Sequence, residues 1–247
     1  ILLSTLNFKN IIKDFLGFIY FNGYRKYLTR LGNRALIYHA FGMKLKHDTY
    51  GISMPLNKFK EQINYLSDNY KIIFAHNYQD VIGNSVSITI DDGYKDTLDA
   101  VDILSNNKIP FTLFVTSSFL DKKNYLTKDD VVQISKLSNA EIGSHGISHN
   151  RLGLLNYNQQ ISELIESKKI LEEIIGDSIC GVSFPHGSYN RETLRILEKS
   201  NYSYAMSSLK GINNKDCNKY LLKRIEIINK DTIKKLEKKI LGYYDYY

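Results

Sequence analysis

From residue 35 onward, short apolar runs rich in β-branched residues alternate with stretches of helical periodicity. No repeat, low-complexity stretch or linker interrupts the alternation. Ala35 to His39, Lys71 to Phe74, Val86 to Ile90, Phe111 to Val115, Ala140 to Ser144, Ile179 to Phe184, Tyr202 to Met206 and Leu221 to Ile228 read as strands. Between them, helices are expected over 57–66, with Asn57 as cap, and over 77–82, 96–107, 127–137, 157–175 and 191–200. A last helix is expected over 232–241. Strands that alternate with helices pair in parallel. Seven or eight such units in one chain of 247 residues predict an α/β fold closed into a (β/α) barrel, with no internal domain boundary after residue 35.

In such barrels the chemistry gathers at the C-terminal ends of the strands. Four predicted strands here end in residues that carry chemistry: His39, Asp91-Asp92-Gly93, His145 with His149, and Pro185-His186-Gly187. Two adjacent carboxylates repel unless a cation or a proton sits between them. His145 and His149 are four residues apart, a spacing that can turn both imidazoles to one point. Two imidazoles and a carboxylate, with positions left over, form a common catalytic metal shell, and Asp92 is the candidate third ligand. Asp91, beside the shell but outside it, could then take a proton from a water whose pKa the metal has lowered. Charge developing on an attacked carbonyl could be held by the metal and by a backbone N–H of the Pro185-His186-Gly187 turn.

The residues around these acids and histidines resemble the motifs of the NodB-type polysaccharide deacetylases, carbohydrate esterase family four. Thr89-Ile90-Asp91-Asp92-Gly93 is similar to the family's Thr-Phe-Asp-Asp-Gly, and His145-Gly146-Ile147-Ser148-His149 to its His-Ser/Thr-x-x-His. Ser183-Phe184-Pro185-His186-Gly187 aligns with Arg-x-Pro-Tyr-Gly. The resemblance runs from about residue 35 to 228. It implies a deformed (β/α) barrel that removes N-acetyl groups from an amino sugar with a divalent metal, zinc foremost and cobalt or nickel as alternatives. It implies Asp91 as base, Asp92, His145 and His149 as metal ligands, and the His186 amide in the oxyanion site. Tyr94, Pro185 and Gly187, in or beside these motifs, are expected against the substrate.

Two departures stand out. Ser183 takes the place of the arginine that would orient the base. The family's late Leu-x-His, source of a general acid in many relatives, is replaced by Leu221-Leu222-Lys223-Arg224-Ile225. His39 or His186 is therefore a candidate proton donor, with a hydrogen-bonded core histidine as the competing role for His39. Arg224 is open between a contact to a substrate anion and a structural ion pair. The departures also motivate an alternative function, a glycan-binding barrel without catalysis. A phosphatase built on Asp-x-Asp is disfavoured because the two acids are adjacent and the histidine pair would be unexplained.

Residues 1–34 form a separate segment. Leu2, Leu3, Leu6, Ile11, Ile12, Phe15, Leu16, Ile19 and Tyr20 recur at helical spacing, interrupted by Lys9, Lys13 and Asp14, and the basic run Arg25-Lys26-Tyr27-Leu28-Thr29-Arg30 follows. The pattern predicts an amphipathic helix that either docks on the barrel or lies on an anionic membrane surface. Its longest clean apolar run, Phe15 to Phe21, is too short to span a bilayer. It also lacks the order of a signal peptide, so a cytoplasmic location, peripheral at the inner membrane, is the expectation. The net charge of +7 comes from scattered lysines without a nucleic-acid motif, so no nucleic acid is expected as partner, and the resemblance implies an N-acetylated carbohydrate instead. Of the two cysteines, Cys180 is expected to be buried in a strand, and no disulfide framework is implied.

Overall fold

The computed structural model describes residues 2–23, 32–80 and 84–246, with side chains of the first helix described from Ile12. The basic run 25–30 and residues 81–82 of one expected helix lie outside the described residues. The elements, in chain order, are α1 (Leu2–Gly23), β1 (Gly32–Tyr38), α2 (Leu56–Asn69), β2 (Lys71–Ile72) and β3 (Asn84–Ile90). Next come α3 (Thr97–Asn106), β4 (Phe111–Val115), α4 (Lys128–Ser135), β5 (Ala140–Ser144), α5 (Tyr157–Ile161) and α6 (Ser167–Ile175). The chain finishes with β6 (Gly181–Ser183), α7 (Arg191–Glu198), β7 (Tyr204–Met206), β8 (Arg224–Glu226) and α8 (Ile233–Leu241).

All eight strands pair in parallel, in the order β7-β6-β5-β4-β3-β1-β8, with β2 beside the first residues of β3. The two ends of this order approach each other. Ser207 N donates to Leu222 O at 2.8 Å and Leu222 N to Ala205 O at 3.0 Å, so the sheet is nearly closed into the expected barrel. Every residue of β1 and β4 is buried, as in a parallel sheet with helices packed outside it. The helices supply the outer half of the core: Phe59, Ile63 and Leu66 of α2, Val101 and Leu104 of α3, and Ile196 and Leu197 of α7 are all buried in it.

The local signals worked where a side chain could reach the backbone. Thr127 and Asp130 close a capping box on α4, and Gly176, at φ 72°, ends α6 in the left-handed region. Asn57 does not cap. Leu56 already begins α2 after Pro55, which offers no side-chain acceptor, so Asn57 sits inside the first turn. Cys180 is exposed, because β6 begins two residues later than expected, at Gly181.

Helix α1 is present and docks on the C-terminal residues, with its apolar side turned outward. Asp14 accepts from the Tyr244 hydroxyl at 2.7 Å, Phe21 stacks on Tyr243 at 3.8 Å, and Gly17 lies so close that a Cβ there would meet Tyr243 O at 2.8 Å. Ile12, Phe15, Leu16, Phe18 and Ile19 point outward.

Candidate active site

The catalytic end of the barrel is a cavity of about 750 Å³. The strand ends meet around this cavity. Asp91 N donates to Tyr38 O at 2.9 Å and His145 N to Val115 O at 2.8 Å, which puts the ends of β1, β3, β4 and β5 at one level. His39, Asp91, Asp92, Tyr94, His145, His149, His186, Gly187 and Arg224 all line this cavity. Pro185 does not. It is buried behind the wall, against the turn at Gly146, and so is not placed to touch a substrate.

Three side chains converge. Asp92 Oδ1 lies 3.3 Å from His145 Nε2 and 3.1 Å from His149 Nε2. Neither contact has hydrogen-bond alignment, and this buried Oδ1 is left without a donor. An oxygen 3.3 and 3.1 Å from the two nitrogens is spaced as along two edges of a tetrahedron around an ion with bonds of about 2.0–2.1 Å, and all three atoms lie within 4.8 Å of one another. The residues therefore fit a divalent metal. Burial opposes the charge on Asp92, but the His145 and His149 imidazoles outweigh it and hold the pKa well below the ordinary carboxylate value. Burial also opposes a charge on His145, yet the Asp91 and Asp92 carboxylates raise its pKa. His145 Nδ1 meets Ser183 O at 2.9 Å, which fixes the ring and turns Nε2 to the cluster.

The backbone at this point is unusual. Asp92, His149 and His186 have φ of 77°, 61° and 56°, in the left-handed region that costs a non-glycine residue about 1 kcal/mol or more. Such strain persists only where surrounding contacts over-determine it. For His149 the contact is Glu163, whose carboxylate accepts from Ile147 N at 2.7 Å, from Ser148 N at 3.0 Å and from the Ser148 hydroxyl. Glu163 reaches them from a π-turn, Ser162–Glu166, that joins α5 to α6. No sequence signal distinguished Glu163 from its neighbours on a long amphipathic helix.

Asp91 is held differently. Arg224 Nη1 and Nη2 donate to its two oxygens, each at 2.8 Å, and Ser183 Oγ donates to Oδ2 at 3.1 Å. The remaining guanidinium donors go to Thr89 Oγ1, Ser183 Oγ and Ser207 O. All five N–H groups of Arg224 thus face protein acceptors, and none is left for a substrate anion. The ion pair is the role the structure gives it. Burial pushes against the Asp91 charge, but Arg224 first, then His145 and His39, bring its pKa below the ordinary value. The guanidinium missing from position 183 is supplied from β8 instead. A serine at 183 makes room for it, and an arginine predicted inside the last strand was the available signal.

The mouth of the cavity is aromatic. Tyr94 stacks on Tyr125 with centroids 5.1 Å apart, Phe119 packs on Tyr125 at 4.7 Å, and the Tyr94 hydroxyl meets His47 Nε2 at 3.0 Å. The adjoining wall is the loop after β1, pinned by Asp48, which accepts backbone N–H bonds from Tyr50, Gly51, Ile52 and Ser53. His186 stands exposed at the rim, its ring 4.5 Å from that of His149. Burial, then the neighbouring His149 and Arg151, lowers its pKa.

Fold and site together define a class: a β/α-barrel hydrolase whose acids and imidazoles meet at the strand ends. Comparison with known proteins gives the family. The family model described as polysaccharide deacetylase matches residues 79–205, more than half of the chain. YxkH of Bacillus subtilis (strain 168), assigned as a polysaccharide deacetylase, is 27% identical over 201 residues, 78% of this chain and 70% of YxkH. The Streptococcus pyogenes deacetylase PplD, solved in complex with acetate, superposes with a TM-score of 0.76 at 20% identity, covering 86% of this chain and 99% of PplD. BC0361, a polysaccharide deacetylase from Bacillus cereus, superposes with a TM-score of 0.75 at 20% identity, covering 85% of this chain and 69% of that one. The chain belongs to the polysaccharide deacetylase family, hydrolases of carbon–nitrogen bonds.

Proposed function

We propose that this enzyme removes the N-acetyl group from an amino sugar of a bacterial surface polysaccharide or of its lipid-linked precursor. The observation that carries the reading is the pairing, in one cavity, of a convergent Asp92–His145–His149 set with a separate buried carboxylate, Asp91, fixed by Arg224. A divalent cation held by the three converging residues, zinc foremost with cobalt or nickel as alternatives, would supply Lewis acidity and lower the pKa of water.

The chain's own groups do the rest. Asp91, ionised at neutral pH, accepts the proton of the attacking water, and Arg224 with Ser183 keeps its carboxylate from rotating. The His186 backbone N–H, in the turn that lines the cavity, donates to the developing oxyanion. His39 gives the proton to the departing amine. It lines the same cavity, its Nδ1 is buried without a partner, and its proximity lowers the pKa of both aspartates. The His186 ring stands exposed at the rim, where burial and its neighbours His149 and Arg151 lower its pKa. Tyr94, Tyr125 and Phe119 offer faces to the sugar. The binding-only alternative was motivated by a missing arginine and a missing late histidine; Arg224 answers the first, and His39 is the proposed answer to the second.

The test is acetate release from N-acetylated amino-sugar oligosaccharides. Release is expected, lost on chelation and restored by zinc. Saturable sugar binding without release, in protein that carries one equivalent of metal per chain, overturns the proposal.

A further inference from the structure

The outward face of α1 is the feature that the cavity does not explain. Ile12, Phe15, Leu16 and Ile19 follow the one-face spacing of a helix, with Phe18 beside them, and Phe15 and Phe18 are 62% and 57% exposed. The helix presents these residues to solvent and turns Asp14 to the protein, where Tyr244 binds it. This is the reverse of a helix that stays in water, because a water-facing helix buries its apolar stripe. The other side of α1 is tied to the C-terminal tyrosines, including a bond from the Tyr246 hydroxyl to Lys13 O, so the helix lies along the surface of the protein.

The ground beside this stripe is basic. Helix α8 carries Lys234, Lys235 and Lys238 against a single acid, Glu237, while its fourth lysine, Lys239, is paired with Asp231. Lys235 Nζ lies 5.9 Å over the Tyr244 ring and Lys238 Nζ 5.8 Å over Tyr243, the same two tyrosines that hold α1. Lys210 is crowded as well. Burial first, then the Lys13 and Lys239 ammonium groups, pushes its pKa down to about 8, with Asp245 and Glu226 offsetting part of the effect. Lys210 also lines the cavity, so the basic rim and the cavity mouth are neighbours. An apolar stripe flanked by crowded lysines complements a surface that has hydrocarbon beneath a layer of negative charge.

We infer that the outward face of α1, with the lysines of α8 beside it, docks this enzyme on an anionic lipid bilayer. The stripe enters the boundary between headgroups and acyl chains, and the ammonium groups meet the lipid phosphates. Among the described residues no helix is long and apolar enough to cross a membrane, and the docked side of α1 is occupied by protein.

The experiment is co-sedimentation of the full chain with phosphatidylcholine vesicles, with and without phosphatidylglycerol. It reads binding without turnover, so it stands apart from the deacetylation reading. Binding is expected on the phosphatidylglycerol vesicles and is expected to weaken as salt rises. The double variant Phe15→Asp/Phe18→Asp should lose at least about ten-fold in partitioning, given the area each ring buries. Lys234→Gln and Lys235→Gln should each cost about five-fold on the anionic vesicles only. All these side chains are at least partly exposed, so the variants should unfold at the parent temperature, which separates lost docking from lost folding. Three results overturn the inference. One is no binding to either vesicle. Another is equal binding by parent and Phe15→Asp/Phe18→Asp. The third is a dimer in solution that this double variant abolishes while vesicle binding is absent, which would assign the stripe to a second copy.

Discussion

Two buried arginines grip aspartates in this molecule, and the contrast between them shows what makes an ion pair functional. Arg34, on β1, binds Asp245 through both terminal nitrogens at 2.8 and 3.0 Å, and its other donors reach Gly211 O and Ile240 O. Arg224, on β8, binds Asp91 with the same fork at 2.8 Å on each side. The chemistry of the two pairs is alike. What differs is the far side of the carboxylate. Asp245 belongs to the C-terminal residues that secure α1 and the base of the barrel. Asp91 faces a cavity in which His39, His145 and Asp92 compete for the same small space. One arginine closes a chain end, and the other aims a base.

The sharpest way to break this comparison is to change the two aspartates' roles separately. Asp91→Asn should keep the fold and the metal content while turnover falls by about 10³-fold, the usual worth of a positioned base. Turnover that survives would remove Asp91 from the reaction. Arg34→Met should act on stability alone. Leaving Asp245 without its partner is expected to cost about 3–5 kcal/mol, read as a lower urea midpoint, with kcat per folded molecule unchanged. A fall in kcat at full folding would erase the distinction between the two pairs.

A subtler change sharpens it. Arg224→Lys keeps a charge but loses the planar fork, so kcat should drop about ten-fold with KM little altered, because the base is loosened while the substrate contacts remain. A rise in KM alone would return Arg224 to a substrate-binding role. The smallest effect is expected at the cavity wall. Burial opposes the charge on Asp48, but four backbone N–H donors hold its pKa below the ordinary value. Its contribution is therefore present above the unfolded carboxylate pKa and is lost as pH falls through the lowered folded value. Asp48→Asn should cost about 1 kcal/mol or less at neutral pH and flatten the acid limb of a stability-against-pH curve. An unchanged acid limb would show that the loop is held by other contacts.

Much of the barrel was legible because period-two and helical patterns report burial directly. Phe111–Val115 and Ala140–Ser144 have the expected bounds, since both are flanked by turn residues that stop the ladder. The strand bounds at Ile179 and Leu221 were too generous. Of these runs only Gly181–Ser183 and Arg224–Glu226 pair as strands, and Leu222 adds an isolated bridge to Met206 where the barrel nearly closes. The convergence of Asp92, His145 and His149 could be read from sequence because its members sit on short motifs at strand ends. The orienting arginine could not. It comes from a strand 133 residues away in sequence from Asp91, and only the register of β8 against β1 turns its side chain inward. The direction of α1 was also out of reach, since helical spacing says which residues share a face but not whether that face meets protein or solvent.

The π-turn at Ser162–Glu166 holds one residue more per turn than the helix around it. Deleting a single residue there would leave an ordinary, better-formed α-helix on the outside of the barrel. It would also swing Glu163 by roughly 100° relative to α6, away from the amides of Ile147 and Ser148. His149 would then be free to leave its left-handed conformation, and the Asp92–His145–His149 cluster would lose a member although no residue lining the cavity had been touched. Part of the instruction for where these side chains converge is thus written on the outside of the barrel, as a miscount in a helix.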